Sequence, residues 1–125
     1  MTENEISKIV VDACCNIHYE LGPGLLESVY EEVLYYELTH FGLKVERQKP
    51  IPVKWKDIKM EIGFRADLII ENKVVIELKS VESISPVHPK QVLTYLKITG
   101  LKLGLLINFN EKLIKDGITR IVNNL

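Results

Sequence analysis

The chain has 125 residues, with sixteen Lys and Arg against seventeen Asp and Glu for a formal net charge of −1. That length predicts one domain over residues 1–125 with a core that needs no disulfide or metal staple, and the even charge without any basic run excludes a strong electrostatic footprint for nucleic acid. Cys14 and Cys15 are adjacent and without other cysteines, which excludes a disulfide framework or a cysteine zinc site, and neither a signal peptide nor a span of ~20 apolar residues is visible, so a soluble cytoplasmic chain with no membrane segment is expected.

From Thr2 to about Tyr19, Ile6, Ile9, Val10, Ala13, Cys14 and Ile17 recur at helical spacing, and Thr2 with Glu5 resembles a capping box. The cysteines are expected to be reduced and packed. His18 falls beyond the apolar stripe near the helix end, where a cation meets the helix dipole favourably, and it is not assigned to a site. Leu21-Gly22-Pro23-Gly24 stops this helix. A second helix runs from about Leu25 to Phe41, with Leu26, Val29, Tyr30, Val33, Leu34, Leu38 and Phe41 as its buried side. Glu27 stands in its first turn, where the dipole alone favours an acid.

Gly42 ends that helix, and Leu43 to Trp55 reads as a strand whose Pro50 and Pro52 confine it to an edge or a bulge. Trp55 is expected to pack at a hairpin end, with Lys56-Asp57 turning the chain into a strand from Ile58 to about Ile70. Asn72-Lys73 signals the next turn, and Val74 to Lys79 is strand-like. Placing Ala66, Leu68 and Ile70 on the same face as Val74, Ile76 and Leu78 pairs Leu68 with Ile76 and leaves Glu71-Asn72-Lys73 as a three-residue loop. In that register Asp67 lies opposite Glu77, and Arg65 opposite Lys79. Two carboxylates directly opposite on a sheet repel unless a cation stands between them, and a hard ion such as Mg²⁺ takes oxygen ligands of this kind. Lys79, on the same face as Glu77, is placed to reach a water or a phosphate oxygen beside such an ion. Solvated surface acids are the alternative for this stretch.

Ser85-Pro86 opens a third helix that runs to about Thr99, with Gly100 as its stop and Val92, Leu93 and Leu96 in its buried stripe. Gln91 and Tyr95, four apart, share a face, while His88 and Lys90 near the helix start suit either phosphate contact or solvated surface. Leu101 to Phe109 reads as a strand buried on both faces, parallel to the Glu77 strand through the helical crossover. Lys112 to Asp116 is a short helix or turn, and Ile118 to Val122 an edge strand or a helical tail.

Gly24-Leu25-Leu26-Glu27-Ser28-Val29-Tyr30 resembles the signature of the GxxExxY proteins, a branch of the PD-(D/E)XK nuclease superfamily. The resemblance continues through Gly42 to Gln48, Arg65-Ala66-Asp67-Leu68, Glu77-Leu78-Lys79, Gln91-x-x-x-Tyr95 and Gly104 to Phe109, which is nearly the whole chain. It implies a mixed α/β fold of restriction-endonuclease type, an αβββαβ core with an extra N-terminal helix. It also implies a nuclease that uses Mg²⁺ or Mn²⁺ and acts on nucleic acid, DNA ahead of RNA. Asp67, Glu77 and the backbone carbonyl of Leu78 would hold the ion, Glu27 would extend the metal site directly or through water, Lys79 would position water, and Gln91 and Tyr95 would support it. From their positions alone, Arg65, Lys79, His88 and Lys90 are the residues placed to meet phosphate, with an ion pair to a neighbouring acid as the alternative for Arg65. The alternative is a catalytically silent module of the same fold that binds a protein or, weakly, nucleic acid. Because the chain carries no dedicated DNA-reading motif, a homodimer or a protein partner is a further expectation.

Overall fold

The computed structural model describes residues 1–125 apart from the side chain of Ile62. In chain order it contains α1 (Glu3–Leu21), α2 (Glu27–Phe41), β1 (Val45–Trp55), β2 (Ile58–Ile70), β3 (Val74–Lys79), α3 (Val87–Thr99), β4 (Leu103–Asn108), a 3-10 turn (Ile114–Gly117) and β5 (Ile118–Val122). The strands form one five-stranded sheet in the order β1-β2-β3-β4-β5. The first three are an antiparallel meander, β4 joins β3 in parallel, and β5 closes the other edge antiparallel to β4. Helix α3 makes the crossover that a parallel β3–β4 pair requires. This is the expected αβββαβ order with an extra helix in front, and the C-terminal segment left open by the sequence is an edge strand.

Side-chain alternation divides the core between the two faces of the sheet. Ile6, Val10, Cys14 and Ile17 of α1 and Tyr30, Leu34 and Leu38 of α2 cluster with Leu68, Ile70, Val74, Ile76, Leu78, Leu105 and Ile107. Leu96 of α3 packs in a second cluster with Ile51, Ile69 and Val75. Every residue of β4 is buried, as expected of a strand covered on both sides. Gly104 sets how closely α3 can lie on it, because a Cβ there would stand 2.6 Å from Val92 Cγ1.

The capping box is present: Glu5 N–H donates to Thr2 Oγ1 at 3.1 Å and Thr2 N–H to Glu5 Oε1 at 2.9 Å. Gly42 and Gly100 end their helices in the left-handed region. Several apolar expectations are corrected. Leu26 is 74% exposed because it caps α2 from outside, and Phe41, 64% exposed, lines a groove between α1 and α2 rather than the core. Val29 is exposed as well, while the acid Glu31 occupies the buried stripe. Trp55 is 63% exposed, because β3 pairs with β2 only over Leu68–Ile70 and leaves the far end of the β1–β2 hairpin uncovered. Lys56 Nζ stands 5.7 Å from the Trp55 ring centroid. Cys14 is packed but Cys15 is exposed. His18 stands in the last turn of α1 as expected, and it is buried there with its Nε2 2.8 Å from the Glu111 carbonyl oxygen. Among the described residues no helix is long and apolar enough to cross a membrane.

Candidate active site

Asp67 and Glu77 come together on the face of the sheet that α3 covers. The β2–β3 ladder pairs Ile70 with Val74, Ile69 with Val75 and Leu68 with Ile76, the register expected from the apolar pattern. Just beyond the last pair, side chains take over the bonding. Leu78 N–H donates to Asp67 Oδ2 at 2.8 Å, and Asp67 N–H lies 3.4 Å from Glu77 Oε1. Asp67 is half-buried, and Glu77 is only 9% exposed. Burial first, and then the charge of Asp67 and a hydrogen bond with it, push the Glu77 carboxyl up to about 8. Lys79 opposes that shift, which places its charge near the pair.

Helix α3 brings Tyr95 over the same acids. Its phenol is raised above the ordinary tyrosine value by burial and by the charges of Glu77 and Asp67, with the Gln91 amide offsetting part of the effect. The Tyr95 ring stacks on Phe64 of β2, 3.5 Å between centroids and 2° from parallel. Lys90, Gln91, Tyr95 and Phe64 line an open cavity of about 420 Å³ on this side. His88 lies at the start of the same helix, with a buried Nδ1 that has no hydrogen-bond partner.

The signature segment before α2 is stitched to the end of β3. Tyr30 Oη donates to the Gly22 carbonyl at 2.6 Å and accepts from Leu25 N–H at 3.1 Å. Its ring stacks on Phe109 at 4.3 Å and 9°. Ser80 Oγ donates to the Leu25 carbonyl at 2.6 Å, so the loop ahead of Glu27 is fixed beside the residue after Lys79. Asn108, fully buried, donates to the Val81 carbonyl at 2.9 Å and accepts from Val81 N–H at 3.1 Å, which holds the chain leaving β3. Glu27 itself is exposed at the N-terminus of α2. Among the described residues, no three of Asp, Glu, His and Cys are grouped as a metal cluster.

Arg65 departs from its expected place. It pairs with Pro50 of β1, and its Nη1 donates to the Gln48 carbonyl at 2.9 Å, because the β2–β3 ladder ends before Arg65 could come opposite Lys79. Three further residues come to the site from β1 and α2. Gln48 Nε2 donates to Asp67 Oδ1 at 3.1 Å and to Glu31 Oε1 at 2.5 Å. Arg47 pairs with Glu31 at 3.0 Å and Glu32 at 2.8 Å. Glu31 was legible as an acid three and seven residues before the buried Leu34 and Leu38, a spacing that puts it on the packed side of α2.

The donor set fits a hard divalent cation. Beside the Asp67 carboxyl, Glu77 is pushed to about 8 by burial and by that neighbour, and holds a proton that such an ion would displace. An antiparallel meander, a crossover helix and a parallel fourth strand, with Asp and Glu-x-Lys on neighbouring strands, define a restriction-endonuclease-like protein. Residues 4–121 match the family model of the PD-(D/E)XK nuclease superfamily, and the chain belongs to that superfamily. The chain is also similar to the protein in the "Crystal structure of SSO0001", at 25% identity and a TM-score of 0.53 over 79% of this chain. It spans about half, 51%, of that protein's length. No curated protein matches the chain.

Proposed function

We propose that this protein is a divalent-metal-dependent nuclease of the GxxExxY branch, hydrolysing phosphodiester bonds of nucleic acid, DNA ahead of RNA. The observation that carries the reading is the coupled Asp67–Glu77 pair on one sheet face, with Lys79 two residues further along β3. Asp67 and Glu77 are the residues that would hold Mg²⁺ or Mn²⁺. Such an ion supplies Lewis-acid polarisation of the scissile phosphate and offsets its charge.

The chain's own groups do the rest. The Lys79 ammonium orients the attacking water in line with phosphorus and stabilises the charge that develops on the phosphoryl oxygens. Water adds to phosphorus and releases a proton to solvent, the bond to the leaving oxygen breaks, and a proton from solvent completes the leaving alcohol. Tyr95 and Gln91 approach the same acids from α3 and orient water or phosphate, while Arg65, His88 and Lys90 meet phosphates of the strand on either side. Glu27, carried on a loop fixed to Ser80, contributes through water rather than as a direct third carboxylate.

Incubation with labelled single-stranded DNA, duplex DNA and RNA in Mg²⁺ or Mn²⁺ tests this. The expected result is metal-dependent cleavage of at least one substrate that falls by about 10²-fold or more in Lys79→Met. Cleavage that survives intact in both Lys79→Met and Glu77→Gln would overturn the mechanism. A fully folded wild type that cleaves none of the substrates would favour the catalytically silent interaction module.

A further inference from the structure

Gln48 stands mid-strand in β1 with φ +47°, in the left-handed region that a glutamine seldom occupies. The pairs on both sides, Arg47 with Leu68 and Lys49 with Ala66, keep the β1–β2 register, so this is a local distortion at one residue rather than the end of a strand. Such backbone is strained and persists where its surroundings fix it. Three contacts do so here. Arg65 Nη1 holds the Gln48 carbonyl at 2.9 Å, and the side-chain amide spans Glu31 Oε1 at 2.5 Å and Asp67 Oδ1 at 3.1 Å.

The consequence falls on Asp67. Its Oδ2 already accepts from Leu78 N–H at 2.8 Å, so Gln48 fixes the second oxygen and with it the orientation of the whole carboxylate. Glu31 is buried and its charge is met by Arg47 at 3.0 Å, which leaves it an anchor for the amide. The amide donates to both acids at once, and a carboxylate in its place would repel both.

We propose that Gln48 is a positioning residue, anchored by Glu31, that fixes the Asp67 carboxylate in the orientation in which it holds a divalent cation. The proposal rests on the metal-site reading of Asp67 and Glu77. It assigns the β1 edge strand and the buried acid of α2 a role in the affinity of the site, with no contact of their own to the ion.

Calorimetric titration of Mn²⁺ into the full chain, without nucleic acid, tests it through binding. Gln48→Leu removes the amide, and Gln48→Asn keeps the polarity but is one methylene too short to span both acids, so either variant reads the effect should the other fail to fold. Glu31→Gln keeps an oxygen acceptor for the amide. The expected result is Mn²⁺ affinity weakened about 10-fold or more in Gln48→Leu and Gln48→Asn, each measured below its own melting temperature, and affinity within about 3-fold of wild type in Glu31→Gln. Wild-type affinity in either folded Gln48 variant would overturn the proposal while leaving the metal site standing. A wild type that takes up no Mn²⁺ would overturn the site reading itself, and the proposal with it.

Discussion

Glu77 carries the largest electrostatic conflict at the site, and its sign gives a pH signature. With its carboxyl pushed from an ordinary 4.5 to about 8 by burial and by Asp67, the folded protein holds a proton there that the unfolded chain releases. Between these values the native state binds more protons than the unfolded state, so this group's contribution to stability is present below about 4.5 and is lost as pH rises through about 8. In chelator, the melting temperature of wild type relative to Glu77→Gln should therefore fall across that window and level off above it. Adding Mn²⁺ should remove the decline at the alkaline end, because a cation offsets the charge that the proton had neutralised. A difference that stays flat from pH 5 to 9 in chelator would mean that Glu77 is ionised throughout.

At the scale of elements, the β2–β3 hairpin was legible because its apolar alternation admits one register, and Asp67 and Glu77 followed from it. Gln48 was not, and the reason lies in the neighbouring hairpin. Trp55 pairs with Ile58 and Val53 with Met60, a register that would carry Gln48 opposite Arg65. A bulge between Ile51 and Val53 shifts the pairing by two, to Arg47–Leu68 and Lys49–Ala66, and so brings Gln48 level with Asp67. Gly63 sits in that bulge, where a Cβ would stand 2.5 Å from the Ile51 carbonyl oxygen. Pro50 and Pro52 signal an edge or bulged strand, but not the size of the shift that the bulge makes in the pairing. Arg65 was expected opposite Lys79, but the β2–β3 ladder stops at Leu68–Ile76, and apolar alternation does not say where a ladder ends.

Two element-level tests follow. Tyr30→Phe keeps the stacked ring but leaves Leu25 N–H and the Gly22 carbonyl without the phenol, and should cost about 1–3 kcal/mol in urea unfolding. If the loop is held independently of Tyr30, the variant will unfold like wild type. Gly104→Ala should cost about 1–3 kcal/mol by driving a methyl into Val92, and Val92→Ala in the same chain should recover part of it, an interaction that additive losses would contradict.

For the molecule as a whole, the division of labour between the two sheet faces explains how a small, nearly neutral chain can present a polar site. Helices α1 and α2 bury the larger apolar face, and α3 covers the other beside Ile69 and Val75, so polar residues concentrate where β2 and β3 run past that smaller cluster. The order of elements was readable from apolar spacing, glycine stops and the turn at Asn72-Lys73. The C-terminal strand was not, because Ile118 to Val122 alternates too briefly to separate an edge strand from a helical tail. The net charge of −1 provides little general attraction for nucleic acid. The account therefore depends on local charge, and above all on a cation between Asp67 and Glu77. Calorimetric titration of Mn²⁺ into wild type and into an Asp67→Asn, Glu77→Gln double variant tests that most directly. Saturable binding near one ion per chain in wild type and its loss in the folded double variant is the expected result; equal binding by both proteins, or none by wild type, would contradict it.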